Sequence, residues 1–245
     1  MSQYIFKGIV HPERAPVSVG PIKPARIVHP DTRKELVMEL NIVFNQITVW
    51  VEAGDDWNIV DLRNIARYFA STVCSVLSFV HGYFFEVEIV QAVCRERNID
   101  QVFGIDTPCI AERPSAEYFK AKFTDVLKRT GGIHGLYYGR CFKDLNLALK
   151  DTEDTAFYCY RAIESLRKLC GIRFGLENDS AQWNKLWMIT GFDRTYVEKI
   201  NKDANETRHG DIVGAKEADR IHYLTRTWNI VEKFIENEPQ ENDNI

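Results

Sequence analysis

The chain has 245 residues, of which 45% are apolar, and a formal net charge of −4. This length and apolar content fit one large domain or two small ones with their own hydrophobic cores. The acidic balance argues against a protein that coats nucleic acid with a broad basic surface, and it leaves room only for a small local site.

The N-terminal half has the alternating apolar pattern of an antiparallel β-sheet. The segments with strand-like composition are 4–10, 15–19, 35–44, 46–51, 83–93 and 101–105. We expect His11-Pro12 to end the first strand and a loop over Gly20–Pro24 to follow the second. A turn at Asn45 is expected to join the third and fourth strands as a hairpin.

One long helix interrupts these strands. It is predicted to begin at Asn58 or Asp61 and to end at His81-Gly82. Its apolar stripe consists of Leu62, Ile65, Phe69, Val73, Val76, Leu77 and Val80. The N-terminal half is therefore predicted to be an antiparallel sheet with one long helix laid across it.

The isolated acidic residues and histidines of the chain carry no recognisable catalytic or metal-binding pattern. Glu86 and Glu88 are interpreted as polar positions on one face of a strand and not as an acid and base pair. The histidines at 11, 29, 81 and 134 lack metal-ligand spacing, so we predict neither a metal ion nor a cofactor. The motifs G-x-G-x-x-G, G-x-S-x-G and H-E-x-x-H and the Walker-type phosphate loop are absent from the sequence.

The C-terminal half is predicted to be entirely helical. The predicted helices are 117–129, 136–149, one that begins after a cap at Thr152, 180–191, 193–209 and 215–236. Short connections between them favour an up-and-down bundle. The fold class is thus α+β, with a β-rich domain over 1–110, a helical bundle over 111–237 and a disordered acidic tail over 238–245.

The sequence also indicates the compartment. Nothing near the N-terminus resembles the apolar core of a signal peptide, and no segment is long enough to span a membrane. The six cysteines are scattered without a C-x-x-C pair, and Cys74, Cys159 and Cys170 fall in apolar helical phase. We therefore expect reduced core cysteines and a cytoplasmic protein.

The most informative stretch is Lys202–Asp211. Asp193 is the expected N-cap of its helix, and Val197, Ile200, Ala204 and Thr207 form the expected buried stripe. A polar strip with Asn205, Arg208 and His209 runs beside that stripe towards Gly210, the expected stop. An amide, a guanidinium and an imidazole together can bind a phosphate and move a proton. The alternative is that Asn205 and His209 cap the helix, where the helix dipole favours cations.

Two passages of the C-terminal half resemble the HEPN superfamily of higher eukaryotes and prokaryotes nucleotide-binding proteins. One is residues 156–166, AFYCYRAIESL, which is similar to the early core helix of that family. The other is N-E-T-R-H-G at 205–210, at a helix end where the family carries its Arg and His signature. The resemblance implies a compact helical bundle that forms homodimers. Many members of the family are metal-independent ribonucleases of bacterial antiviral defence and toxin–antitoxin systems.

The resemblance also implies roles for individual residues. Asn205 corresponds to the orienting polar group and His209 to the acid/base, while Arg208 is the candidate anion clamp. The usual pattern is R-N-x-x-x-H, so Ala204 stands where the Arg is expected. Lys202, Arg161 and Glu164 are weaker candidates for the same cleft, and the alternative for Glu164 is an exposed pair with Lys168.

Two hypotheses follow for the function. In the first, the chain is a HEPN-like effector that binds or cleaves RNA, and its N-terminal domain senses a signal or binds a partner protein. In the second, the chain is a non-catalytic module for dimerisation or protein interaction, and the end of the motif helix is a structural cap. The acidic balance and Ala204 favour the second hypothesis, whereas the co-occurrence of Asn, Arg, His and Gly at one helix end favours the first. We favour the HEPN-like nucleic-acid function and leave open whether the chain is an enzyme.

Overall fold

The computed structural model describes residues 1–28, 33–104, 108–111, 116–209 and 217–238. The chain divides into two compact units, Met1–Ile105 and Asp106–Ile245. The first unit contains the sheet and the second is helical, so the predicted α+β fold class is confirmed. The division falls slightly before the predicted boundary at residue 110.

The first unit is built on an antiparallel sheet. Its strands are β1 (Ser2–His11), β2 (Val19–Val28), β3 (Glu35–Val43), β4 (Gln46–Ala53), β5 (Glu86–Cys94) and β6 (Ile99–Val102). The strand order is β2-β3-β4-β1-β5-β6, and every neighbouring pair is antiparallel. Alternate residues of β1, β3 and β4 point into the core, as the period of two in the sequence requires.

The predicted hairpin turn at Asn45 is confirmed. Phe44 and Asn45 both have positive φ, 45° and 66°, which matches the tight turns whose twist suits a hairpin. The Asn45 side chain is buried and forms hydrogen bonds to the chain that precedes β2. It accepts a hydrogen bond from the backbone N–H of Val17 and donates one to the carbonyl of Val10, each at 2.8 Å. The turn residue therefore also anchors the chain between β1 and β2.

The predicted loop over Gly20–Pro24 is wrong, because β2 runs directly through it. The short strand predicted over 15–19 likewise overlaps β2 only at Val19. Proline lacks the N–H that a central strand needs, but β2 lies at the edge of the sheet and has one unpaired side. Register shifts between Val19 and Ile22 and between Ile22 and Ala25 accommodate the irregular backbone.

The predicted long helix is present as α1 (Ile59–His81). Asn58 is its N-cap and accepts a hydrogen bond from the N–H of Val60, while Gly82 ends it with a φ of 67°. Of the predicted stripe, Leu62 is buried, Ile65, Phe69 and Val73 pack half-buried against the core, and Val76 and Val80 are exposed. The other fully buried residues of the helix, outside the predicted stripe, are Ala66, Ala70 and Cys74.

The second unit is a set of helices around one central helix. The helices are α2 (Pro108–Ala111), α3 (Ala116–Arg129), α4 (Gly135–Lys150), α5 (Thr155–Arg173), α6 (Asp179–Thr190), α7 (Glu198–Arg208) and α8 (Glu217–Asn237). Helix α5 contacts α4, α6, α7 and α8. Its predicted apolar stripe is buried in full, consisting of Ala156, Cys159, Ile163, Leu166 and Cys170.

Two of the predicted helix starts are wrong by a few residues. Helix α5 begins at Thr155, not after Thr152, because the Asp151 carboxylate accepts hydrogen bonds from the N–H groups of Glu153 and Asp154 and holds a turn there. Helix α6 is capped by Asn178 instead of Ser180, since the Asn178 side chain accepts from the N–H of Ala181 at 2.7 Å.

The predicted tail begins one residue too early. Glu238 is buried, and its carboxylate contacts Arg129, Arg173 and Tyr138. Its partners are far away in the sequence, so no local pattern indicates them. The rest of the predicted tail, 239–245, lies outside the described residues.

Candidate functional site

Helix α7 and the turn before it fix the orientation of the motif. Asp193 is the predicted N-cap, and its carboxylate accepts hydrogen bonds from the N–H groups of Thr195 at 2.9 Å and Tyr196 at 3.2 Å. A 3₁₀ turn over Arg194–Val197 follows and leads directly into α7. The predicted stripe is buried at Val197, Ile200 and Ala204, and Thr207 is half-buried. This packing turns the polar strip outwards.

The predicted catalytic residues Asn205, Arg208 and His209 are all exposed at the end of α7. The Asn205 amide donates a hydrogen bond to the side-chain oxygen of Asn201 at 3.1 Å. Within the part of the chain that the structure describes, the side chains of Arg208 and His209 form no hydrogen bond or ion pair. The backbone N–H of His209 closes the helix onto the carbonyls of Asn205 and Glu206. Gly210, the predicted stop, lies outside the described residues.

Ala204, which stands at the position of the expected Arg, is part of the core. It is 3% exposed and belongs to the buried stripe of α7, which packs against α5. A guanidinium at this position would be desolvated among apolar side chains. Arg208 lies one helical turn further on and is the first basic residue after Ala204 that reaches solvent.

The weaker candidates have other partners. Lys202 is exposed, and its ammonium lies 3.9 Å from the carboxylate of Glu206. Arg161 pairs with Asp144, with 3.0 Å between Nε and Oδ2. Burial raises the pKa of the Tyr160 hydroxyl, and the nearby charge of Glu164 raises it further. In the described residues, no hydrogen bond or ion pair joins Arg161 or Glu164 to the end of α7.

The alternative pairing of Glu164 with Lys168 is wrong. The Lys168 ammonium lies 3.4 Å from the carboxylate of Asp179, in the first turn of α6. The same carboxylate forms an ion pair with Arg167 at 2.5 Å. Arg167 lowers the pKa of Asp179 most, and Lys168 lowers it further. Sequence spacing within one helix did not indicate these contacts because they join two helices.

A second basic feature, which the sequence did not indicate, is a groove between α4 and α5, here called the α4–α5 groove. It encloses about 470 Å³, and its charged lining residues are Arg140, Lys143, Asp144 and Arg161. Asp144 is almost fully buried and fixes Arg161, while the Arg161 guanidinium also lies 5.1 Å from the ring centre of Phe157. Three cations and one carboxylate give the groove a net positive charge, which suits a phosphate. Arg140 and Lys143 lie three residues apart on α4, which is the only local signal.

Among the described residues, no group of three or more His, Cys, Asp or Glu side chains is arranged to hold a metal ion. Across the same residues, no helix combines the length and apolar character that crossing a membrane requires.

Comparisons with known proteins place both units in one family. Residues 4–103 match the N-terminal domain of DUF8168, a domain of unknown function, and residues 124–238 match its C-terminal domain. Comparison with curated proteins and comparison with solved structures each give no match. The gap between the two matched segments contains the division between the units, and the second match ends at the buried Glu238. The chain carries both domains in order and belongs to the DUF8168 family.

Proposed function

We propose that this chain is a HEPN-like effector that binds RNA and cleaves it without a metal ion. The observation that carries the proposal is the state of the α7 end, where Asn205, Arg208 and His209 are exposed together. Arg208 and His209 form no side-chain hydrogen bond or ion pair with the described residues, although the structural-cap hypothesis requires them to do so. Groups in this state are available to a ligand.

The chemistry assigned to these residues is transfer of a phosphodiester within RNA. His209 takes the proton of a ribose 2′-hydroxyl as its oxygen forms a bond to the adjacent phosphorus. The bond from phosphorus to the 5′-oxygen breaks, and that oxygen takes a proton from a second acid. In a homodimer the second acid is His209 of the other copy. Arg208 stabilises the negative charge that develops on the phosphate oxygens, and Asn205 orients the reacting groups.

The α4–α5 groove supports the RNA-binding part of the proposal. Arg140 and Lys143 are exposed, and Arg161 is held in place by the buried Asp144. A groove with excess positive charge beside an aromatic side chain, here Tyr137, is typical of surfaces that follow a single-stranded backbone. The protein as a whole is acidic, so we expect binding to be local and sensitive to salt.

The test is cleavage of mixed cellular RNA in EDTA by the wild type and by His209→Ala, after both are shown to be folded and to have the same oligomeric state. We expect cleavage by the wild type and none by the variant. His81→Ala is the matched control, since His81 is also an exposed histidine at a helix end but lies in the other unit. Equal cleavage by wild type and His209→Ala, or inactivity of both, would contradict the proposal.

One observation favours the second function, a non-catalytic interaction module. Apolar side chains are exposed near the end of α1, including Phe79 at 89%, Phe84 at 72% and Tyr83 at 61%. Exposed apolar clusters of this kind mark protein-binding surfaces. Inactivity in the RNA assay, together with a stable homodimer, would support this function. The first proposal also includes a cytoplasmic location and a role in bacterial defence or in a toxin–antitoxin pair.

A further inference from the structure

A pocket between α5, α6 and α7, here called the α6–α7 pocket, combines aromatic and polar lining residues. Its volume is about 490 Å³, within the range of small-molecule sites. Tyr160, Trp183 and Trp187 supply its aromatic wall. All three are half-buried and pack against the core on their other side, so the wall is held in place.

The aromatic wall suits a flat ring. The Trp183 and Trp187 rings are stacked, with centroids 5.0 Å apart and planes inclined by 19°. The Tyr160 ring lies 6.1 Å from Trp183 at 31°. The Arg167 guanidinium lies 5.4 Å from the centre of the Trp183 ring and pairs with Asp179, so a cation is held beside that ring. A planar ligand can extend this stack, since stacking on aromatic side chains accepts every nucleobase.

The rim of the pocket supplies polar groups at the edge of that ring. Asn184 and Asn201 bring amides, Arg194 a guanidinium and Glu198 a carboxylate. In the described part of the chain, Arg194 and Glu198 form no side-chain hydrogen bond or ion pair. Amide and carboxylate groups can pair with the edge of a base, and a guanidinium with a phosphate.

A cationic ligand fits this pocket less well. Recognition of a quaternary ammonium uses rings that surround the charge as a cage. Here the two indoles are nearly parallel, and two guanidinium groups, from Arg167 and Arg194, lie near the aromatic wall. The geometry and the charge both favour a neutral or anionic planar ligand.

The pocket is connected to the candidate catalytic residues through α7. Asn201 lines the pocket and accepts the hydrogen bond from Asn205 at 3.1 Å. From Asn201 to His209 the helix rises by about 12 Å. A base held in the pocket and a phosphate at the end of α7 would thus lie along one helix.

We propose that the α6–α7 pocket binds one nucleotide, with its base against Trp183 and Trp187 and its phosphate at Arg194. The assignment of the pocket rests on its own geometry. Its role as the subsite that holds a base of the cleaved RNA rests on the proposed function.

The experiment is a titration of the full-length protein with AMP, followed by the indole N–H signals of its five tryptophans in NMR spectra. We expect saturable shifts of the Trp183 and Trp187 signals, and unchanged signals for Trp50, Trp57 and Trp228. Ribose 5-phosphate, which lacks a base, should shift neither indole. Shifts spread equally over all tryptophans, equal shifts with ribose 5-phosphate or with choline, or none with AMP would overturn the proposal.

Two variants separate the base from the phosphate. Arg194→Ala removes an exposed side chain and should fold normally. We expect it to weaken AMP binding about tenfold while adenosine binding stays unchanged. Trp187→Leu keeps an apolar side chain and should abolish binding of both ligands. Unchanged AMP affinity in Arg194→Ala would refute the phosphate position, and adenosine binding by a folded Trp187→Leu would refute the stack.

The same preparations are assayed for RNA cleavage in EDTA, so that the two proposals fail separately. Cleavage without AMP-dependent shifts would leave the proposed function standing and refute the pocket. Specific AMP shifts without cleavage would establish the nucleotide site and refute the catalytic proposal.

Discussion

Two helix ends in the helical unit carry ionisable side chains in opposite environments. Past the end of α8, Glu238 is fully buried and paired with Arg129 and Arg173. At the end of α7, Arg208 and His209 are exposed and form no side-chain pair with the described residues. The comparison shows that charged groups at a helix end serve the fold in one place, where burial forces them to pair, and are open to a ligand in the other.

The buried cluster holds several helices together. Glu238 accepts hydrogen bonds from Arg173 at 2.5 Å, from Arg129 at 3.1 Å and from the hydroxyl of Tyr138. These partners lie on α5, α3 and α4, so one carboxylate ties the chain after α8 to three helices. Desolvated charges are tolerated only when each has a partner, so losing a carboxylate that two guanidinium groups share is costly, even though Arg129 also lies 3.6 Å from Asp125.

The largest expected effect is therefore that of Glu238→Ala. It leaves the guanidinium groups of Arg129 and Arg173, whose side chains are 12% and 13% exposed, without their shared carboxylate. We expect the free energy of unfolding in urea to fall by about 3–5 kcal/mol. Glu238→Gln, which keeps the shape and an acceptor, should cost less.

Glu236→Ala is the matched control for this change. Glu236 lies two residues earlier, is exposed, and pairs with Lys233 at 2.7 Å. Exposed ion pairs contribute little, so this variant should unfold like the wild type. Equal effects of Glu236→Ala and Glu238→Ala would show that the buried cluster does not hold the helices.

The next largest effect is expected for Ala204→Arg, which restores the residue that the HEPN pattern contains. Position 204 is buried on α7 against α5, so the new guanidinium would overfill the core and lose its hydration. We expect unfolding free energy to fall by about 2–3 kcal/mol and RNA cleavage not to rise. Urea unfolding and the cleavage assay check both parts.

Lys202→Arg is the control for Ala204→Arg, because it places the same side chain on an exposed position of the same helix. It should leave stability unchanged. A stable Ala204→Arg variant with faster cleavage would mean that an Arg at position 204 can act at the α7 end, and that burial of this position does not serve the fold.

Local patterns were sufficient for much of this fold. The period of two predicted β1 and the β3–β4 hairpin, and Asn45 is a residue that tolerates the positive φ of its turn. The period of 3.6 predicted α5 and its buried stripe, because apolar residues at that spacing line one face of a helix. The exposure of Asn205 also followed from periodicity, once the buried stripe of α7 was known.

Long-range contacts limited the rest. Whether a strand tolerates Pro21 depends on its place in the sheet, and the edge position of β2 is not encoded near Pro21. The local sequence places Glu238 in an acidic tail, because its partners are distant in the chain. Arg129 and Tyr138 precede it by 109 and 100 residues, and Arg173 by 65. The α4–α5 groove and the α6–α7 pocket form only when separate helices come together.

His222 has an environment between those of the two helix ends, and it makes stability depend on pH. His222 is half-buried on α8, and its Nε2 atom is buried without a hydrogen-bond partner in the described residues. Burial lowers its pKa first, Arg226 and Lys199 lower it further, and Asp219 and Asp203 oppose the shift. A lowered pKa means that the unfolded chain binds the proton more readily. The stabilising contribution is present above the ordinary pKa of about 6.5 and is lost as the pH falls through the folded value.

We therefore expect His222→Gln to flatten the fall in stability between about pH 7.5 and pH 5. The measurement is the unfolding free energy of both proteins at several pH values. His81→Gln serves as the control because His81 is exposed, and its pH profile should match the wild type. A profile for His222→Gln that also matches the wild type would show that the proton on His222 does not affect folding.

The smallest effects on stability are expected for substitutions at Arg208 and His209, which distinguish a ligand-binding α7 end from a structural cap. Arg208→Ala and His209→Ala remove exposed side chains without partners among the described residues, so each should change the unfolding free energy by less than about 0.5 kcal/mol. RNA affinity should respond instead. In the non-cleaving His209→Ala background, Arg208→Ala should lower the slope of log affinity against log salt by about one. If the α7 end is a structural cap, the reverse is expected, with lower stability and unchanged salt dependence. The end of α7 would then serve the fold, as the buried cluster at Glu238 does.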